Sequence, residues 1–201
     1  MKYTVVVSDN PQSVPGIQCF PLELGVTRLD FTEYELKGES RSVYVKILKP
    51  GATDGLQHPS DAQWYIADVD LPDDTWARSV EELAQQWLQL KASSEDLARL
   101  KEKTESLSPG WFPWTVNKAL DNLSKTRAAL TQIRQVVAGL DTNSKWRSDV
   151  SDMLSLVESL KEQNEAHCGI VQARKAKVDL SITVIIGAMT VAGIVLAILL
   201  N

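Results

Sequence analysis

The chain has 201 residues, with 21 Lys plus Arg against 26 Asp plus Glu and a net charge of −5. The whole deficit lies in residues 1–78, which carry seven basic and twelve acidic groups; without a concentrated basic surface to release counterions, nucleic acid is not an expected partner. The two cysteines, Cys19 and Cys168, fall in different segments, which excludes a disulfide framework.

Residues 1–75 have the texture of strands and are read as a β-rich head. Tyr3–Val7 is β-branched, Val43, Val45 and Ile47 alternate with Tyr44, Lys46 and Leu48, and Trp64–Ile66 lead into Val69 and Leu71. Lys37-Gly38-Glu39, Pro50-Gly51 and Asp54-Gly55 supply turn chemistry between these runs. About four or five short strands at this spacing predict a small antiparallel sheet. The alternation slips between Ile66 and Val69, where a bulge or strand end is expected. So small a module needs the helices or a partner to complete its core. Trp64, Tyr65, Trp76, Asp68 and Asp70 are the candidate head contacts.

Beyond Pro72 the apolar period changes from two to about three and a half. Over 79–140 two amphipathic helices are expected. The first opens on a Ser79/Glu82 capping box, carries Val80, Leu83, Trp87, Leu90, Leu97, Leu100 and Leu107, and is expected to bend or split at Ser93-Ser94-Glu95-Asp96, which repeats a start signal. A Pro/Gly/Trp linker at 108–114 separates it from a second stripe of Val116, Leu120, Leu123, Leu130, Ile133, Val137 and Leu140. In that linker Trp111, Phe112 and Trp114 are candidates for a membrane interface, where amphipathic rings are favoured, or for the corner of a bundle.

Residues 144–178 form a heptad-patterned helix. Val150, Val157, Asn164, Val171 and Val178 fall at one position, and Met153 and Leu160 at its partner, which His167 and Arg174 then interrupt. Val150, Met153, Val157, Leu160 and Asn164 are therefore candidates for helix association, either in an internal bundle or in a homo-oligomeric stalk.

From Leu180 to Leu200 no charge occurs. Roughly twenty-one residues span about 31 Å as a helix, the hydrocarbon thickness of a bilayer, and this predicts a transmembrane anchor over 180–200. Lys2 precedes only the short Val5–Val7 run, too short for a signal peptide core. Arg174, Lys175 and Lys177 precede the span, which favours a cytoplasmic bulk and a tail anchor. Ala188 with Ala192, and Gly193 with Ala197, give small-residue spacings suited to close helix contact. Cys168 is a candidate for acylation.

Catalytic and metal motifs are missing from the pattern. His58 and His167 have no ligand-spaced Cys or His, Ser151, Ser155 and Ser159 have no paired base, and no phosphate-binding glycine loop occurs. No enzyme, cofactor or metal is expected. The layout of head, heptad helix and terminal apolar run resembles that of tail-anchored SNAREs and membrane-contact tethers, with the seam departing from it at His167 and Arg174. The expected fold is α+β: a small antiparallel β-rich N-terminal module, a helical bundle or coiled coil, and one C-terminal transmembrane helix. The expected role is a non-enzymatic tail-anchored adaptor or tether, with a lipid bilayer, a protein partner and a second copy of the chain as its contacts. A membrane-remodelling role, with the Trp-rich linker as a second lipid contact, is the alternative.

Overall fold

The computed structural model describes residues 2–9, 20–48, 64–70, 76–106, 112–140 and 147–199, with the side chains of 2, 4, 48, 64–70, 76 and 193–199 outside that description. Four strands come first, β1 (Lys2–Ser8), β2 (Phe20–Asp30), β3 (Glu35–Leu48) and β4 (Trp64–Asp70). Three helices follow, α1 (Trp76–Glu105), α2 (Pro113–Ala138) and α3 (Arg147–Leu199). The sheet has the order β2-β3-β1-β4, and every neighbouring pair is antiparallel. The register between β1 and β4 shifts between Tyr3 and Val5, opposite the Ile66 to Val69 slip in the alternation.

Helix α1 lies between this sheet and the α2–α3 pair, so it is buried on both sides. Val5, Val7, Val43 and Val45 reach zero exposure beneath it, each contributing about 2 kcal/mol by leaving water. Its own Trp87, Leu88, Leu97 and Leu100 join them, together with Leu130, Ile133 and Val137 of α2 and Val150, Val157 and Leu160 of α3, in one core.

Strand β2 is an edge, and α1 seals it. Gly25, Thr27 and Leu29 turn their peptide groups away from β3, and side chains of α1 meet each in turn. Gln85 donates to the Gly25 carbonyl. The Gln89 amide accepts from Thr27 N–H at 2.9 Å and donates to the Thr27 carbonyl at 2.9 Å, as the peptide group of a neighbouring strand would. Asp96 Oδ2 accepts from Leu29 N–H at 2.8 Å. Pro21 shares this parity and has no N–H to leave unpaired, which is why a proline is tolerated there.

Asp96 also receives the buried Arg28, whose Nε and Nη2 reach it at 3.1 and 2.8 Å, while Nη1 donates to Glu95 at 2.9 Å. Burial opposes the Arg28 charge, yet the Asp96 hydrogen bonds and the charges of Asp96 and Glu95 outweigh it and raise the guanidinium pKa.

Several expectations are corrected by this arrangement. The run Ser93–Asp96 does not break α1, which is continuous from Trp76; its polar groups serve the edge of β2 instead of a cap, and Ser79 sits inside the helix. Lys37-Gly38-Glu39 is not a turn, because β3 runs through it. The turn is 31–34, fixed by Asp30 Oδ1 accepting from Thr32 N–H at 2.8 Å and by Tyr34 N–H donating to the Asp30 carbonyl at 2.7 Å. The interruption of the partner position at His167 and Arg174 does not break the helix either, since α3 is continuous from Arg147 to Leu199.

The main correction concerns the transmembrane helix expected over Leu180–Leu200. Among the described residues no helix is long and apolar enough to cross a membrane. The apolar section of α3 begins at Leu180. Asp179, Lys177, Lys175 and Arg174 bar extension toward the N-terminus. The tail-anchored, single-pass and C-terminal membrane-anchor readings fall with it, as does the transmembrane part of the fold class; the α+β arrangement of sheet and helices stands.

Candidate functional site

Helices α2 and α3 run antiparallel, and the α3 heptad stripe is the reason. Val150, Val157, Asn164, Val171 and Val178 are all buried. Val116, Ala119 and Leu123 of α2 close with Val171 on a second small core that Cys168 and Leu120 flank. Arg127 pairs with Glu165 at 2.7 Å and Arg134 with Glu158 at 2.8 Å across the rim; being exposed, each contributes less than about 1 kcal/mol. Asn164 breaks the apolar seam. Its amide nitrogen is buried with no partner among the described residues, as is Nδ1 of His167. Asn164 lines a cleft of about 280 Å³ with Leu120, Leu123, Arg127, Glu165 and Cys168.

Because Val116 stands level with Val171, α2 runs out near residue 175 of α3. Its first turn is entered through Phe112, whose extended backbone precedes Pro113, and Thr115 Oγ1 donates to the Phe112 carbonyl at 2.6 Å. Phe112 and Trp114 face outward, 58% and 66% exposed, and stack on each other with centroids 4.5 Å apart at 10°. Past Val178 nothing among the described residues covers α3. Leu180, Val184, Ile185, Ile186, Met189 and Val191 are 58–70% exposed and Ile182 37%.

At 100° per residue these side chains divide between two opposite sides of the helix, Leu180, Val184 and Val191 on one and Ile182, Ile185, Ile186 and Met189 on the other. Their exposed parts amount to roughly 700 Å² of apolar surface, about 300 Å² on one side and about 400 Å² on the other, so that each side alone is comparable with the 300–600 Å² of the largest patch on an ordinary monomer. Phe112 and Trp114 extend the patch at its base, where Arg174 and Lys175 are half-buried and Lys177 is exposed.

The structure thus separates the residues singled out in the sequence. Val150, Met153, Val157, Leu160 and Asn164 pack inside the chain, with Met153 half-buried, rather than on an outer seam. Phe112, Trp114, Ala188 and Ala192 are exposed. Trp111 and the side chains of Gly193 and Ala197 lie outside the described residues, as do Cys19, His58 and the side chains of Trp64, Tyr65, Trp76, Asp68 and Asp70. Among the described residues no group of three His, Cys, Asp or Glu side chains could hold a metal ion. The edge-sealing Gln85, Gln89 and Asp96 were not legible as a set, although Arg28 on the apolar face of β2 signals a buried counter-charge.

No protein-family model, no curated protein and no solved structure matches this chain.

Proposed function

We propose that this protein is a non-enzymatic adaptor that joins copies of itself through the free end of α3 and displays several β-rich heads to a protein partner. The observation that carries this reading is the two-sided apolar surface from Leu180 to Val191. Roughly 700 Å² per chain is close to the ~800 Å² that each partner gives to a standard interface. A dimer would cover one side of the helix and leave the other wet, so three or more copies in a bundle answer the pattern better. Continuity supports a second copy as the occupant, since the heptad that packs α3 on α2 through Val178 continues into Ile185 and Ala192 where α2 has ended. Heads gathered on one bundle would bind a partner with the gain of effective concentration, and modest contacts would suffice.

The test is sedimentation equilibrium of the full chain without detergent, beside the variant Ile185→Asp/Met189→Asp. A discrete mass of three or more chains, falling to the monomer in the variant with its circular dichroism unchanged, is expected. A wild-type monomer overturns the proposal. So does a chain that stays monomeric and floats with phosphatidylcholine vesicles, which would assign the surface to lipid.

A further inference from the structure

The β2–β3 turn leans on the last turn of α1 and the middle of α2, and encloses an open cleft of about 360 Å³. Phe31, Thr32 and Tyr34 come from the turn, Lys103 and Ser106 from α1, and Asn122, Lys125 and Thr126 from α2. Tyr34 has φ of 61°, a left-handed backbone that a bulky aromatic rarely adopts and that a hairpin usually gives to Gly or Asn. The turn is held in that shape by Lys37, which binds Asp30 at 2.6 Å and Glu33 at 2.8 Å.

The strained position aims the Tyr34 ring at the cleft. It lies edge-on to Phe31, with centroids 6.5 Å apart, and the Lys103 ammonium sits over both rings, 4.7 Å from Phe31 and 5.3 Å from Tyr34. Arg99 adds a second cation 5.8 Å from Phe31. Lys103 has no carboxylate partner among the described residues, and neither the Asn122 amide nor the Tyr34 hydroxyl makes a hydrogen bond there. Lys125 is bound by Asp121 at 2.7 Å, and that bond and charge raise its pKa and keep it cationic.

Unpartnered donors thus converge on an aromatic-floored space, an arrangement that suits an acceptor carrying negative charge. We infer that the cleft binds an anionic side chain of a protein partner, a carboxylate or a phosphate monoester, with Lys103 as the principal charge, Phe31 and Tyr34 as the floor, and Asn122 as a neutral donor. This inference is independent of the assembly through α3.

The test uses the full chain labelled with 3-fluorotyrosine, whose Tyr34 resonance is assigned with Tyr34→Phe. N-acetyl-glutamate amide and N-acetyl-phosphoserine amide are titrated at low salt, with N-acetyl-glutamine amide as the neutral control. A saturable shift of the Tyr34 signal with at least one anion, an unmoved Tyr44 signal, and affinity weakened about fivefold or more in Lys103→Gln but retained in Lys103→Arg are expected. The tighter anion identifies which side chain the partner brings. No saturable shift with either anion, an equal shift with the neutral amide, or unchanged affinity in Lys103→Gln overturns the inference; the unmoved Tyr44 signal certifies that the variant is folded.

Discussion

Replacing Asp96 by Ala should be among the most damaging single changes in the head, and the reason is what it leaves behind. Arg28 keeps Glu95 at 2.9 Å, but loses the two contacts at 3.1 and 2.8 Å to a carboxylate that is 2% exposed. Removing one partner of a buried pair costs about 3–5 kcal/mol when nothing else compensates. The retained Glu95, 37% exposed, brings this to the lower end, while the orphaned Leu29 N–H adds about 1 kcal/mol. The expected loss is about 3–4 kcal/mol. With an m-value of about 2–3 kcal/mol per M in urea, the unfolding midpoint falls by ~1–2 M. The double variant Arg28→Met/Asp96→Leu removes the buried pair, orphans the Leu29 N–H and leaves Glu95 to solvent and to Arg41 at 3.9 Å, so it should lose about 1–2 kcal/mol. Urea unfolding followed by far-UV circular dichroism measures all three proteins. A double variant no more stable than Asp96→Ala, or a single variant that loses less than about 1 kcal/mol, would refute the view that uncompensated charge drives the effect.

Two further outcomes follow from the same kind of reasoning. Asn164→Leu should stabilise the protein by about 1–2 kcal/mol, read as a higher Tm, because it removes a buried amide nitrogen without a partner and the adjoining cleft has room for the methyls; a lower Tm would count against it. At the hairpin, the Lys37 hydrogen bond and the Thr32 N–H hold the Asp30 carboxyl at about 2 against an ordinary 3.8. Its folded pKa is depressed, so the contribution to stability is present above about pH 4 and disappears as pH falls through about 2. Asp30→Asn should flatten the dependence of the urea midpoint on pH over that window, and an unchanged slope would exclude Asp30 as its source.

The helical half was legible because its signal is local. The heptad from Val150 to Val178 and the stripe from Val116 to Val137 are buried as their spacing requires, and the linker around Pro113 separates α2 from α1. The slip between Ile66 and Val69 likewise marks a register shift. Strand β2 was missed because Pro21, Gly25 and Arg28 interrupt its alternation, and all three make sense only beside α1. Ser93 to Asp96 misled for the related reason that side chains good at capping a helix are equally good at binding a strand edge. The apolar run after Asp179 reads as a span in the sequence, whereas no described helix is long and apolar enough to cross a membrane, and its exposed side chains indicate contact surface without naming the occupant. The cleft at Tyr34 could not be read at all, since it joins residues from three elements far apart in the chain and turns on one backbone angle.

The sealing of β2 has a consequence for any crowd of heads. Gathering domains at millimolar local concentration is the condition in which bare strand edges template one another into growing ribbons. Unlimited growth needs two receptive margins on each unit, one to accept and one to extend. Here the Gln89 amide already stands where an incoming strand would pair with Thr27, so recruitment through that margin would require α1 to be levered off the sheet and Arg28 stripped of its counter-charge. Among the described residues the other outer strand is β4, and units with at most one receptive side stop at pairs. In an assembly through α3, the same helix that completes the core would act as a terminator, letting heads pack densely while blocking runaway polymerisation.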